Sequence, residues 1–340
     1  MSNIRGKRRL TVAGIGIACA LVASACSSSS EESASADGTT PLKMGFEWTC
    51  SGDWSVVYEG LEQGIFKKNG IDLTYDRGQG GSDTVPLVAS GEFDLGILSA
   101  APTIIGAGQD MPVTMIGAAA TDGPIAILAD SSIKTPKDLE GKTLAVQTDQ
   151  QEGAVWKAFV KATGINGDSI NVVPSDDGTQ ADFLSGKVDA MVVFYPTASV
   201  YEFLQQRPDL NVIKMQQYVP MYGHMMVMND AYLSEHKDVA KGYVTAWAES
   251  AKYVIDNWDE SYKLLVEKCP EVSPEALEYS MKAYFEGYQS DYAKKNGLGT
   301  FSLEGVEETQ KVLVDAGLAE SRPVSEFATT EYLPNPAIMP

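Results

Sequence analysis

The chain has 340 residues and a formal charge of −20, from 46 acidic against 26 basic side chains. A surface so acidic argues against nucleic acid or anionic lipid as a partner. With four cysteines, two histidines (His224 and His236) and no CxxC or HExxH pattern, there is little material for a histidine-rich metal centre or a Ser-His-Asp site, and neither a metal nor a cofactor is expected.

The first elements read as export rather than fold. Arg5, Lys7, Arg8 and Arg9 precede an apolar run from Leu10 to Ala25, which is short of the roughly 20 residues that a membrane span requires. Residues 1–25 are expected to be a signal peptide. Ala23-Ser24-Ala25-Cys26 resembles a bacterial lipobox, which would make Cys26 a lipidated N-terminus; the alternative is an ordinary cleaved signal followed by an incidental cysteine. Residues 26–40, with almost nothing to bury, read as a disordered tether. Residues 1–25 hold four basic and no acidic side chains, so their removal moves the charge from −20 to −24. Cys19 would leave with the signal. Cys50 and Cys269 remain, far apart in sequence, and both read as free thiols, with a disulfide the open alternative in an oxidising compartment.

The roughly 300 residues beyond the tether exceed the usual size of one core, so two domains are expected. Two segments repeat a pattern: LVASGEFDLGIL (Leu87 to Leu98) and FLSGKVDAMVVF (Phe183 to Phe194) share Ser-Gly-x-apolar-Asp and then a buried-strand run. Each reads as a helix ended by glycine, a tight turn and a strand. A strand and a polar, glycine- or aspartate-rich loop precede each of them, and a strand, loop and helix come before that. A βαβαβ unit occurring twice implies an α/β fold of two mostly parallel, helix-flanked sheets, related by duplication. MPVTMIGAAA and PIAILA supply two further strands between the units. Thr135-Pro136-Lys137-Asp138-Leu139 reads as a short capped helix, and Gly223 to Met228 as a strand returning to the first lobe. The remainder reads as helical, ending in an extended tail from Ser321. The expected boundaries are 41–130 plus 224–340 for lobe 1 and 131–223 for lobe 2.

Two α/β lobes, the lipobox and KTPKDLEGKTLAV together resemble the type II solute-binding proteins of ABC importers. GLEQGIFKKNGIDLTY, LVASGEFDLGIL and GKVDAMVVFYP are similar to the superfamily that binds thiamine-type pyrimidines, sulfonates, taurine and nitrate. The resemblance implies a monomeric receptor, tethered to the outer face of a bacterial membrane. It would capture a small solute by lobe closure and pass it to the transmembrane subunits of an ABC permease. A planar heterocycle such as a thiamine-precursor pyrimidine is the expected ligand, with an aliphatic sulfonate, taurine or nitrate as the alternative. The same superfamily includes a pyridoxal phosphate-using pyrimidine synthase, but its cysteine-rich motif is missing here, and no enzymatic activity is expected. A sensor or adhesion module on the same fold is a third reading.

Ligands of open α/β sheets bind beyond the carboxyl ends of the strands. That rule selects EWTCSGDW, RGQGGSDT and LSAAP in the first lobe, QTDQQEG, PSDDGTQ and FYPTA in the second, and MYGHMM at the return crossing. Trp48, Trp54, Tyr195 and Tyr222 are candidate stacking faces, although Trp54 equally fits the apolar stripe of its own helix. Glu47, Asp53, Asp149 and Glu152 could accept paired hydrogen bonds from an amino group and a ring nitrogen; Asp53 and Glu152 could instead serve a helix dipole. Ser82 lies in a glycine-rich turn able to cradle an anion, and Ser99 ends a strand. His224 could titrate with binding or be a packed wall residue. The loops hold no basic cluster, only Arg77, which favours a neutral or weakly cationic heteroaromatic over an anion.

Overall fold

The computed structural model describes residues 38–78, 80–148 and 151–340. The expected signal, Cys26, most of the tether and Asp149 lie outside the described residues. Thr40, expected in the tether, instead opens the first strand and pairs with Ile71.

In chain order, β1 (Thr40–Phe46), α1 (Trp54–Glu62), α2 (Ile65–Lys68), β2 (Ile71–Arg77), α3 (Gly81–Ala89), β3 (Leu95–Ser99), α4 (Ala100–Gly108) and β4 (Val113–Ala118) form the first unit. The second comprises β5 (Ile125–Ala129), β6 (Thr143–Val146), α5 (Gln151–Thr163), β7 (Asn171–Pro174), α6 (Asp177–Leu184), β8 (Ala190–Phe194), α7 (Ala198–Gln206) and β9 (Asn211–Lys214). Then come β10 (His224–Asn229), α8 (Asp230–Glu235), α9 (Lys237–Asp256), α10 (Trp258–Lys268), α11 (Pro274–Tyr288), α12 (Asp291–Asn296) and α13 (Leu303–Asp315).

Two five-stranded sheets result, ordered β2-β1-β3-β10-β4 and β7-β6-β8-β5-β9. In the first, β1 runs parallel to β2 and β3, and β10 is antiparallel between β3 and β4. In the second, β6 runs parallel to β7 and β8, and β5 is antiparallel between β8 and β9. The lone early strand β5 therefore fills the position that the late strand β10 fills in the other sheet. This corrects the boundary expected at residue 130: β5 belongs with β8 and β9, and the chain crosses between sheets at 119–124 and again at 215–223.

The duplicated motif has one physical job in both units. After Gly91 and Gly186, which adopt φ of 78° and 77°, the motif aspartate turns back to tie the sheet. Asp94 accepts from the Lys43 N–H (2.7 Å) and Asp189 from the Thr143 N–H (2.8 Å), and each backbone N–H donates to the carbonyl of that same residue. The strands behind the motif, LGILS and AMVVF, are buried almost throughout, as expected where helices cover both faces. The C-terminal helices cover the first sheet. Val244, Trp247, Ala248 and Ala251 form a wholly buried stripe on α9 at helical spacing, and each large side chain so buried contributes about 1.5–3 kcal/mol.

Cys50 and Cys269 are joined in a disulfide across 219 residues, with their Cα atoms 6.0 Å apart. This corrects the free-thiol expectation: folding brings the loop after β1 against the end of α10, a proximity that sequence separation hides.

Candidate functional site

A cleft of about 950 Å³, open to solvent, lies between the carboxyl ends of the two sheets. Glu47 follows the last residue of β1 and is buried. Its Oε2 accepts from the Ser99 N–H (2.7 Å), and its Oε1 accepts from Ser99 Oγ (2.5 Å) and from His224 Nε2 (3.0 Å). The carboxylate reaches this position because residue 81 is glycine: a Cβ there would stand 2.8 Å from Glu47 Oε2 and 2.7 Å from Pro102. His224 opens β10 opposite Ser99 of β3, so sheet register sets the whole triad.

Burial opposes ionisation of Glu47, but the charge and hydrogen bond of His224, with the two Ser99 donors, hold its carboxyl below the usual range. Burial likewise opposes the charged form of His224, and Glu47, aided by Asp53, raises it above 6.5 nonetheless. The two form a buried ion pair. Asp53 fares differently. Burial pushes it up to about 6, against the pull of His224 and of a 2.5 Å hydrogen bond from Ser51 Oγ. Unlike Glu47, it has no cation in direct contact among the described residues.

Aromatic rings close the apolar side. Phe194 at the end of β8 and Tyr284 of α11 both stack on the His224 imidazole, at 5.4 and 5.9 Å between centroids. Trp48 stands at the mouth, 45% exposed. The second lobe presents uncharged polar groups, chiefly Gln147, Gln151, Ser175, Gln180 and Thr197, with Glu152 its one acid; no lysine or arginine lines the cleft among the described residues.

Of the residues selected from sequence, Glu47, Trp48, Asp53, Ser99, Glu152 and His224 stand around this cleft. Four others do not line it. Trp54 stacks on Phe46 (4.4 Å), meets Tyr75 edge-on and donates its Nε1–H to the Thr49 carbonyl. Tyr195 turns toward Tyr279 (5.8 Å), since side-chain alternation at the strand end gives the cleft side to Phe194. Tyr222 is bound to the α13 cap, its hydroxyl 3.2 Å from Ser302 Oγ. Ser82 is exposed one residue beyond the lining Gly81.

Sequence reasoning did not single out Gln147, Gln151, Ser175, Gln180 or Thr197, although each lies in a loop that the strand-end rule selected. Charged and aromatic side chains drew the attention instead. Tyr284 enters from a helix about ninety positions beyond Phe194 and carries no local signal.

A family model described as NMT1/THI5 like matches residues 52–261. The chain is 22% identical over 206 residues to the formylaminopyrimidine-binding protein of Halalkalibacterium halodurans, covering 59% of this chain and 62% of that one. It is 24% identical over 183 residues to the taurine-binding periplasmic protein of Escherichia coli K12, covering 52% and 56%. The chain thus spans less than two thirds of the length of either of these curated relatives. In fold it resembles the periplasmic aliphatic sulphonate binding protein SsuA of Escherichia coli, with a TM-score of 0.67 at 16% identity over 84% of this chain and 91% of that one. The family match runs from the first cleft loop through both sheets into α10 and takes in more than half of the residues: the chain belongs to the NMT1/THI5-like family.

Proposed function

We propose that this protein is the solute-binding component of an ABC importer and that its cleft captures a small planar heterocycle bearing hydrogen-bond donors, an aminopyrimidine being the model case. One observation carries the choice of ligand: the deep wall of the cleft holds two buried carboxyl groups, Glu47 and Asp53, while no lysine or arginine lines it among the described residues and His224 is already paired with Glu47. An amino group beside a protonated ring nitrogen offers such a wall two charge-assisted hydrogen bonds. A sulfonate or nitrate would meet the Asp53 carboxyl, with no lysine or arginine among the described residues to offset it and with His224 already held by Glu47. The Phe194, His224 and Tyr284 rings and the exposed face of Trp48 suit a flat ligand. The formylaminopyrimidine-binding relative supports the same reading.

The anion reading has support of its own, in the taurine-binding relative and in two helix starts. Gly80 and Gly81 at the start of α3, and Gln151 and Glu152 at the start of α5, line the cleft, and helix N-termini attract anions. Glu47 Oε2 beside Gly81 counts against it there. Capture fits better than catalysis, because Glu47 already occupies His224 Nε2. Anchoring through Cys26 and delivery to a permease belong to the same proposal; Cys26→Ala is expected to move the protein from membranes to the soluble fraction, as read by fractionation.

A thermal-shift panel tests the ligand class. Aminopyrimidines at a hundredfold excess over their dissociation constant should stabilise the fold by about 2.7 kcal/mol. Taurine, alkanesulfonates and nitrate should leave it unchanged, and a shift confined to those anions would reject the proposal.

A further inference from the structure

We infer that Gln151 is a specificity-determining residue that accepts a hydrogen bond from an N–H or O–H on the end of the ligand facing the second lobe. The inference rests on the heterocycle reading above and adds what the second lobe demands of that ligand.

Gln151 is the first residue of α5, a helix of 13 residues. At the start of that helix the Gly153 N–H donates to the Gln147 carbonyl (3.1 Å), and the backbone packs so closely that a Cβ at residue 153 would lie 2.4 Å from the Thr148 carbonyl oxygen. The Gln151 side chain is thereby set into the cleft wall, and the residue is only 6% exposed. Its Oε1 is buried and has no hydrogen-bond partner among the described residues. An orphaned buried acceptor is costly, and proteins rarely keep one without use.

Behind Gln151, the amide of Gln216 is the one side-chain donor among the described residues. Gln151 borders a small pocket there whose wall is otherwise apolar, apart from Gln216, glycine backbone and the main chain. There the Gly123 and Met221 N–H groups are already spent on Gln216 Oε1, at 3.0 and 3.2 Å. The cleft, which Gln151 also lines, is the side from which a ligand could supply the missing donor; the Gln216 amide is the rival from the rear. With acids on the first lobe and an unsatisfied carbonyl on the second, the cleft asks for donors at both ends of its ligand. A group that only accepts, such as a nitrate or sulfonate oxygen, would leave Gln151 Oε1 buried and unpaired. Sites built to pair a donor discriminate strongly against analogues that lack it.

Calorimetric titration of the full chain tests this with 4-aminopyrimidines carrying hydroxymethyl at position 2, 5 or 6, each against its methyl counterpart, on the wild type and on Gln151→Met. The expected result is a roughly tenfold preference for hydroxymethyl in at least one pair, abolished in Gln151→Met, while the unliganded melting temperature stays level or rises because an orphaned polar atom has gone. If the methyl and hydroxymethyl compounds bind alike, or a preference survives in Gln151→Met, the role of Gln151 is overturned and a buried water is the better partner for its Oε1. A lowered melting temperature with the preference intact would mark Gln151 as purely structural. If no pyrimidine binds the wild type at all, the heterocycle reading fails first, and this inference with it.

Discussion

Asp53 shows what the site costs the fold. A carboxyl in water titrates near 3.8, whereas burial pushes this one up to about 6. The folded protein therefore holds a proton more readily than the unfolded chain, and between about pH 4 and 6 it loses stability as pH rises. Asp53→Asn, which retains an acceptor for Ser51, should stabilise the unliganded protein at pH 7 by about 1–3 kcal/mol, with the gain vanishing below about pH 4. Urea unfolding across that range checks the sign. The same substitution should weaken aminopyrimidine binding by tenfold or more at pH 7. It should also remove a loss of affinity that the wild type shows as pH falls through about 6; profiles that coincide for the two proteins would mean that Asp53 does not touch the ligand. Glu47 and Asp53 were legible because they follow a strand whose carboxyl end must face a cleft. The opposite shifts in their acidity were not, since these depend on burial and on His224, which lies 177 positions from Glu47.

Among the contacts that bind the loop after β1 to the C-terminal helices, two show what arises only in the fold. The Cys50–Cys269 disulfide ties this loop, which carries Glu47, Trp48 and Asp53, to the end of α10. Replacing both cysteines by serine should lower stability by about 2–4 kcal/mol and weaken ligand binding, as measured by thermal melting and calorimetry. Normal affinity in the double variant would show that the loop holds its shape without the crosslink. The second contact is Ser280 of α11. Its Oγ accepts from the Gly52 N–H (2.8 Å) and donates to the Pro196 carbonyl (2.6 Å), so a single buried hydroxyl spans from the first-lobe loop to the second lobe. Ser280→Ala leaves both backbone groups without this partner and should lower stability by about 1–3 kcal/mol. If closure uses this bridge, affinity falls too, through a faster off-rate in stopped-flow measurements. The helices and strands themselves were far easier to read. Ser273 before Pro274 and Ser302 before α13 cap their helices, as a serine ahead of a helical run signals, and the Ser-Gly-x-x-Asp pair marked equivalent turns. The apolar stripe that begins at Trp54 does not show the break between α1 and α2 at Gly64, which takes a left-handed backbone.

At the level of the molecule, the duplication visible in two twelve-residue segments accounts for both parallel cores, because each unit brings its own strands, helices and tying aspartate. The swapped strands were only half visible. The return of β10 could be read from an apolar run after Gly223, but β5 looked like the last strand of the first unit, and only its pairing with β8 and β9 assigns it to the second. That exchange sets two crossing segments side by side: the Gly223 N–H donates to the Ala120 carbonyl (3.1 Å), and the Ala119 N–H to the His224 carbonyl (2.9 Å). His224 thus joins the crossing to the cleft wall that holds Glu47. The most direct test of this account is a pair of calorimetric titrations at pH 7, one with a 4-aminopyrimidine and one with taurine, on the wild-type protein. The account predicts saturable one-to-one binding of the pyrimidine and none of taurine. Saturable binding of taurine with no heat from the pyrimidine would contradict it.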